Sequence, residues 1–131
     1  MINPSPLLRR AIQADAIFSG LSAVLLTFGA GEFAPLLNLP EALLRETGLF
    51  LIGYAALVGW LGTRPTMPIL VTIVIAGNAA WTLASIALLF SAAVSPNLLG
   101  EAAIAMQAMM VGVLAEMQFI GLRRSGGAVA V

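Results

Sequence analysis

The hydrophobic positions of this sequence fall into four long runs, separated by short segments that contain proline, glycine and most of the charged residues. The runs cover about residues 11–30, 47–63, 67–90 and 98–122. A helix rises about 1.5 Å per residue, so a run of about 20 residues spans a hydrocarbon layer of about 30 Å. The pattern therefore predicts an all-α fold, an integral membrane four-helix bundle, in which residues 1–131 form a single transmembrane domain.

The longest connection, residues 31–46, is predicted to be an external loop at the membrane interface. Gly29 and Gly31 end the first run, as glycine commonly does at the C-terminus of a helix. Pro40 fits the first turn of a second helix that starts outside the membrane and enters the lipid near Thr47.

The first run has an alternative interpretation as a secretory signal peptide. Its length of about 20 residues exceeds the roughly 7–15 residues of a signal-peptide hydrophobic region. Asp15 also lies inside the run. Both features favour a transmembrane helix.

All basic residues are arginines, and their distribution predicts the orientation of the helices. With four spans, most of them fall on one side of the membrane, at Arg9, Arg10, Arg64, Arg123 and Arg124. The other side holds Arg45 together with Glu32, Glu41, Glu46 and Glu101. Because arginine accumulates in cytoplasmic segments, both termini are predicted to be cytoplasmic. We expect a multi-pass membrane protein.

The composition excludes several classes of function. The chain is 60% hydrophobic and 9% charged, with a mean hydropathy of +1.02, whereas soluble domains carry about 25% charged residues. The absence of cysteine and histidine removes disulfides, thiolate nucleophiles and the usual ligands of zinc and haem, so no metal site and no cofactor are predicted. There is no basic stripe for nucleic acid.

Two carboxylates lie inside the predicted spans near the cytoplasmic face. Asp15 follows Arg10 by five residues, and Glu116 precedes Arg123 by seven. Two glutamines lie close to the same level, Gln13 and Gln118. Because a charged group in lipid needs a partner or a function, Asp15 and Glu116 form a candidate proton or cation site. The alternative is that each carboxylate pairs with a terminal arginine.

A second layer of polar residues lies near the predicted midplane. The third helix carries Asn78, Thr82 and Ser85 on one face. The candidate midplane pocket comprises Ser19, Ser22, Tyr54, Asn78, Trp81, Thr82 and Gln107. Interhelical hydrogen bonding is the alternative explanation of this layer. Tryptophan prefers the membrane interface, so Trp81 at mid-depth indicates a cavity, a bound lipid or quinone-like ring, or a subunit contact.

Three segments carry a resemblance to small uncharacterised bacterial inner-membrane proteins with four helices. They are Leu39 to Gly48, Gly77-Asn78-Ala79-Ala80-Trp81, and Gln107 to Arg124. The layout is also similar to that of DoxX-like four-helix proteins. The small multidrug resistance transporters share four helices and a carboxylate in the first helix, where Asp15 lies. The aromatic and glycine patterns of that family are absent from the later helices.

These features lead to three functional hypotheses. The first is a non-enzymatic accessory or binding subunit that uses its transmembrane helices, the third and fourth above all, to contact partner helices, a second copy of itself, or a lipid or quinone-like ligand. The second is a small oligomeric proton-coupled carrier that uses Asp15 and Glu116. The third is a lipid- or quinone-modifying enzyme that uses the same carboxylates for acid–base chemistry. The sequence has no Ser-His-Asp set and no phosphate-binding loop, which favours a non-enzymatic role.

Overall fold

The computed structural model describes residues 2–65 and 67–130, with side chains as far as Ser125. Over these ranges the chain forms four α-helices: α1 (Pro6–Leu37), α2 (Glu41–Leu61), α3 (Pro68–Leu89) and α4 (Leu98–Ala130). Each is long and apolar enough to cross a membrane. The predicted all-α class and the predicted number of helices are confirmed.

The first helix is longer at its start than the hydrophobic run. Ser5 caps it, because the Ser5 hydroxyl accepts a 3.1 Å hydrogen bond from the Leu8 amide. Pro6 follows in the first turn, where its missing N–H removes no helical hydrogen bond. The helix therefore begins about five residues before the predicted boundary near residue 11.

The predicted loop over residues 31–46 is wrong in its extent, because residues 31–37 continue the first helix, whereas α2 begins at Glu41, directly after Pro40, as predicted. The first helix continues to Leu37 and ends at Asn38, which adopts the left-handed conformation with φ of 56°. A glycine inside a helix costs only about 1 kcal/mol, and packing offsets this cost. Ala30 and Leu37 pack in a cluster with Leu44 of α2 and Ile104 of α4, which holds the extra turns in place.

The helices alternate in direction along the chain. Ser5 at the start of α1 donates a 2.7 Å hydrogen bond to Ser125 Oγ near the end of α4. At the other end of the bundle, Asn97 Nδ2 donates to the Leu36 carbonyl over 2.8 Å. We call the first of these ends the termini end and the other the opposite end. The connection between α2 and α3 lies at the termini end, so the arginine-rich segments share one end of the fold.

Close backbone packing joins α1 to α2, α1 to α4 and α3 to α4. Two glycines allow two of these approaches. A Cβ atom on Gly48 of α2 would lie 2.5 Å from the Thr27 amide nitrogen, and one on Gly121 of α4 would lie 2.7 Å from Leu8 Cα. Glycine is the residue that lets membrane helices approach so closely. In the described residues, α2 and α3 show no comparable backbone packing.

The buried apolar side chains form two clusters, one at each end of the bundle. At the termini end, Ile12 and Val58 pack with Val71 and Val74. At the opposite end, the cluster is centred on Leu44 and Ile104. Between these clusters the interior contains polar side chains and a cavity.

Candidate functional site

Asp15 lies at the centre of a buried polar network that draws on all four helices. Its side chain is 1% exposed. Ser19, one turn further along α1, donates a 3.0 Å hydrogen bond to Asp15 Oδ1. The other carboxylate oxygen, Oδ2, is within hydrogen-bond distance of Tyr54 of α2, Asn78 of α3 and Gln118 of α4. A carboxylate with four polar partners is well satisfied although it is removed from solvent.

The three partners of Asp15 Oδ2 are close to one another as well. The hydroxyl oxygen of Tyr54 lies 2.7 Å from Asp15 Oδ2 and 2.9 Å from Asn78 Oδ1. Asn78 Nδ2 donates to Asp15 Oδ2 over 2.8 Å and to Gln118 Oε1 over 2.9 Å. Gln118 Nε2 completes the set with a 2.9 Å hydrogen bond to Asp15 Oδ2. We call these five residues, Asp15, Ser19, Tyr54, Asn78 and Gln118, the Asp15 network.

The predicted separation of Asp15 from the midplane layer is wrong. Because α1 begins at Pro6, Asp15 lies nine residues into the helix, about 13.5 Å along its axis. It therefore reaches the level of Asn78, which lies at the middle of α3, and contacts both Asn78 and Tyr54.

Arginine takes no part in the Asp15 network. On α1, Arg10 is exposed to the surroundings. Arg9 is half-buried, but it donates to the Gly62 carbonyl at the end of α2, over 2.9 Å, and not to Asp15. In the part of the chain that the structure describes, the one ion pair joins Glu41 and Arg45, over 2.8 Å. The buried carboxylate is thus satisfied by neutral donors.

Glu116, the other member of the candidate proton or cation site, is not brought to Asp15. It is exposed on α4, beside Ile75, Phe119 and Ile120 on the outer surface. The α4 residue that reaches Asp15 is Gln118, two positions further along the chain.

A second polar group lies closer to the opposite end. Trp81 Nε1 donates a 2.9 Å hydrogen bond to Gln107 Oε1, and Gln107 Nε2 donates to Ser85 Oγ over 2.9 Å. Thr82 ties α3 to α4, since its hydroxyl lies 3.0 Å from the Asn78 carbonyl oxygen and 3.4 Å from that of Ala108. These contacts satisfy the indole and amide groups inside the bundle.

A cavity of about 510 Å³ extends from the Asp15 network towards the opposite end. All four helices contribute to its wall, which is mostly apolar. Its polar lining residues are Ser19, Ser22, Thr47, Tyr54, Asn78, Trp81, Ser85 and Gln107. All the residues of the predicted midplane pocket except Thr82 therefore line this one cavity.

Aromatic side chains bridge the gap between α2 and α3. Phe50 of α2 stacks on Trp81 of α3 with ring centroids 6.0 Å apart and an angle of 10° between the rings. It also stacks on Tyr54, at 6.5 Å and 14°. Phe50 is nevertheless 60% exposed, so the cavity wall reaches the surface of the bundle at this residue.

Sequence reasoning placed Gln118 at the depth of Asp15 but left it out of the candidate site. A signal was available, because Gln107 and Gln118 are 11 residues apart, which is close to three helical turns. The two amides therefore share the inward face of α4, whereas Glu116 is turned away from it.

The described residues contain no cluster of carboxylates that could hold a metal ion. No protein family, curated protein or solved structure matches this chain. The resemblance to small four-helix inner-membrane proteins and to the DoxX-like layout stays a prediction.

Proposed function

We propose that the chain is a multi-pass protein of the bacterial inner membrane that binds a lipophilic molecule in the cavity lined by its four helices. In this proposal it acts as a non-enzymatic binding or accessory subunit. The observation that carries the proposal is a mostly apolar cavity with polar side chains at one end, whose lining residues Phe50 of α2 and Ile73 of α3 are 60% and 57% exposed at the surface of the bundle. A molecule dissolved in the bilayer would reach it sideways.

The size of the cavity favours a small molecule over a helix of a partner protein. Sites for small ligands enclose about 300–1,000 Å³, and the volume of about 510 Å³ lies within this range. A helix about 10 Å wide that spans about 30 Å occupies on the order of 2,000 Å³. Partner helices or a second copy would therefore contact the outer faces of the bundle.

Large apolar side chains on those outer faces support the membrane location. Phe28, Leu83 and Phe90 are each more than 60% exposed, at 79%, 68% and 87%. Soluble monomers rarely expose apolar surface on this scale, whereas lipid tails cover it at no cost.

Ligand entry is tested with tryptophan fluorescence. The chain has two tryptophans, so Trp60→Phe leaves Trp81, in the cavity wall, as the sole reporter. We expect a brominated fatty acid methyl ester, added to phosphatidylcholine vesicles that contain the protein, to quench Trp81 with saturation. The variant Trp81→Phe leaves Trp60, which is outside the cavity wall, and its quenching should rise only in proportion to the ester in the bilayer.

A matched pair of glycine variants provides the control. Gly77 lines the cavity, and a Cβ atom there would meet no heavy atom within 4 Å, so Gly77→Leu should fill the cavity and abolish saturable quenching. Gly53 has equally open surroundings but lies outside the cavity wall, so Gly53→Leu should leave it unchanged. Equal quenching in both variants would remove the support for a ligand in this cavity.

The orientation that we propose places both termini in the cytoplasm, as the arginines at the termini end indicate. Since the chain has no cysteine, single-cysteine labelling has no background. Thr63→Cys at the termini end should be labelled from the cytoplasmic side, and Ala93→Cys at the opposite end from the periplasmic side. Both positions are exposed. The reverse labelling pattern would overturn the orientation.

A proton-coupled carrier is the second candidate, and the buried Asp15 favours it. Asp15→Asn should abolish proton-driven uptake of a lipophilic substrate into vesicles. Glu116→Gln is the matched control because Glu116 is exposed, and it should retain uptake. Equal loss of uptake in both variants would indicate that Asp15 and Glu116 act together, as the sequence predicts.

A further inference from the structure

Three members of the Asp15 network line the cavity, and their polar hydrogens are taken by other members of the network. They are Ser19, Tyr54 and Asn78. The Ser19 hydroxyl donates to Asp15 Oδ1 over 3.0 Å. The Asn78 amide directs one hydrogen to Asp15 Oδ2 over 2.8 Å and the other to Gln118 Oε1 over 2.9 Å. Neither side chain therefore has a hydrogen left for a ligand.

Tyr54 has a single hydroxyl hydrogen for two acceptors. Its oxygen lies 2.7 Å from Asp15 Oδ2 and 2.9 Å from Asn78 Oδ1. A hydrogen bond to a carboxylate is roughly twice as strong as one between neutral groups, so the hydrogen goes to Asp15 and Asn78 Oδ1 lacks a donor. Whichever acceptor takes this hydrogen, it is not available to a ligand. At the Asp15 network, the cavity wall thus offers hydrogen-bond acceptors only.

Asn78 Oδ1 is the acceptor that a ligand can satisfy. Asn78 lines the cavity although it is only 5% exposed, and a buried polar atom without a donor is costly. The neighbours fix which atom is the oxygen, because exchanging it with the nitrogen would turn it towards two acceptors, Asp15 Oδ2 and Gln118 Oε1. A ligand hydroxyl supplies the missing hydrogen, whereas a carbonyl head adds one more acceptor.

Three further hydroxyl groups line the cavity, on Ser22, Thr47 and Ser85. Each lies seven residues from a network member on its own helix, which is about 10.5 Å along the axis towards the opposite end. They are therefore too far from Asn78 Oδ1 to donate to it, and they lie beside the chain of a ligand whose head contacts the network. A hydroxyl in a helix can bond to the carbonyl one turn earlier, so an apolar chain does not leave it unsatisfied.

The depth of the network favours an uncharged head. Asn78 lies at the middle of α3, so a ligand that enters from the bilayer brings its head through hydrocarbon. A charged head is expensive there, and a neutral hydroxyl costs far less. Asp15 does not require a cation from the ligand, because four polar contacts already satisfy its two oxygens.

We propose that the cavity selects lipophilic molecules whose uncharged head carries a hydroxyl group, such as a long-chain alcohol, and that this hydroxyl donates to Asn78 Oδ1. The inference rests on the proposed ligand cavity. The head contacts the Asp15 network, and the chain extends towards the opposite end along the mostly apolar wall. A methyl ether or a methyl ester of the same chain length has no hydrogen to donate, so its chain alone binds it.

The experiment compares three compounds of equal chain length, a fatty alcohol, its methyl ether and the fatty acid methyl ester. Each displaces the brominated ester from Trp81 in vesicles that contain the Trp60→Phe variant. Affinities are expressed as mole fractions in the bilayer, so that differences in partitioning from water cancel. We expect the alcohol to bind about two- to tenfold more tightly than the ether and the ester, which is the effect of one net hydrogen bond.

Two substitutions on α3, each made in the Trp60→Phe variant, assign the preference to one atom. Asn78→Leu keeps the approximate volume and removes Oδ1, so the alcohol and its ether should bind equally. Thr82→Val is the matched control, because Thr82 lies one turn further along α3 and outside the cavity wall. It should keep the preference for the alcohol. Loss of the preference in both variants would assign it to the packing of α3 and overturn the role of Asn78.

The outcomes separate the inference from the proposed function. If the three compounds displace the brominated ester with equal affinity, or the ester binds best, the cavity stands and the preference for a hydroxyl is overturned. A long-chain amine that binds more tightly than the alcohol would overturn the uncharged head. These comparisons need no substitution in the network, so they decide the question even if Asn78→Leu does not fold. If none of the compounds displaces the brominated ester and Gly77→Leu leaves the quenching unchanged, the cavity itself is refuted.

Discussion

Asp15 and Gln118 are 103 residues apart in the sequence and are joined by a 2.9 Å hydrogen bond from the Gln118 amide to the Asp15 carboxylate. The bond links the first helix to the last. Both side chains are almost completely buried, at 1% and 0% exposed. A buried polar pair of this kind either holds the bundle together or serves its function, and the two roles can be measured separately.

Replacement of Asp15 by leucine tests the structural role. We expect Asp15→Leu to lower the free energy of unfolding by about 2 to 3 kcal/mol, because four hydrogen bonds are lost and such bonds average about 0.6 kcal/mol in membrane proteins. Asp15→Asn should cost less than about 1 kcal/mol, since the amide still accepts from α2, α3 and α4 and can donate to Ser19. Titration with SDS in mild detergent measures both values. Equal losses in the two variants would show that the charge, and not the hydrogen bonding, is what matters.

Two glycines of α2 predict opposite responses to the same substitution. A Cβ atom on Gly48 would lie 2.5 Å from the Thr27 amide nitrogen, so Gly48→Ala forces α1 and α2 apart and should lower the free energy of unfolding by about 1 to 3 kcal/mol. A Cβ atom on Gly53 would meet no heavy atom within 4 Å, so Gly53→Ala should be neutral or stabilise the helix by up to about 1 kcal/mol. Unfolding in SDS compares the two. A neutral Gly48→Ala would refute the close contact between these helices.

The hydroxyl of Thr27 offers a site for stabilisation. Thr27 Oγ1 is the one buried side-chain polar atom without a hydrogen-bond partner in the part of the chain that the structure describes. Thr27→Val keeps the shape and removes this group, so we expect a gain of about 1 kcal/mol in the free energy of unfolding. Thr72→Val is the control, because Thr72 is exposed and its hydroxyl donates to the Pro68 carbonyl over 2.9 Å. Loss of stability in Thr27→Val would mean that this hydroxyl has a partner in the membrane.

Asn97 holds the opposite end of the bundle. Its side-chain oxygen accepts a 2.8 Å hydrogen bond from the Gly100 amide at the start of α4, and its amide donates to the Leu36 carbonyl at the end of α1. We expect Asn97→Ala to cost about 1 kcal/mol through the loss of the helix cap. It should also speed hydrogen exchange of the first amides of α4. Ser95→Ala, in the same exposed connection, should change neither. Unchanged exchange in Asn97→Ala would show that the cap contributes nothing.

The boundaries of α1 show why local patterns misplace the ends of helices. The hydrophobic run predicts a start near residue 11 and an end near residue 30, whereas the helix extends from Pro6 to Leu37. Charged residues such as Arg9, Arg10 and Glu32 are costly in a membrane interior but are tolerated in a helix that continues beyond it. Because the helix begins at Pro6, Asp15 lies nine residues from its start, which is deeper in the bundle than the hydrophobic run predicts.

The sequence predicted which polar residues belong to the candidate site, but only partly which of them contact one another. Polar residues inside long apolar runs stand out in a sequence because lipid offers them no hydrogen bonds, so Asp15, Tyr54, Asn78 and Gln107 could all be recognised. Which of them meet depends on helix rotation and depth. The structure turns Gln118 inwards and Glu116 outwards, and the spacing from Gln107 indicates this choice only once Gln107 is known to face the interior.

The number of helices and their all-α class follow from the sequence by itself, because long apolar segments satisfy their backbone hydrogen bonds locally, within each helix. The tertiary structure alone decided the partners of Asp15, the contact at Gly48 and the cavity that the four helices enclose. Each of these depends on residues far apart in the chain, whose distances are set by how the helices pack and not by the hydrophobic pattern of any one of them.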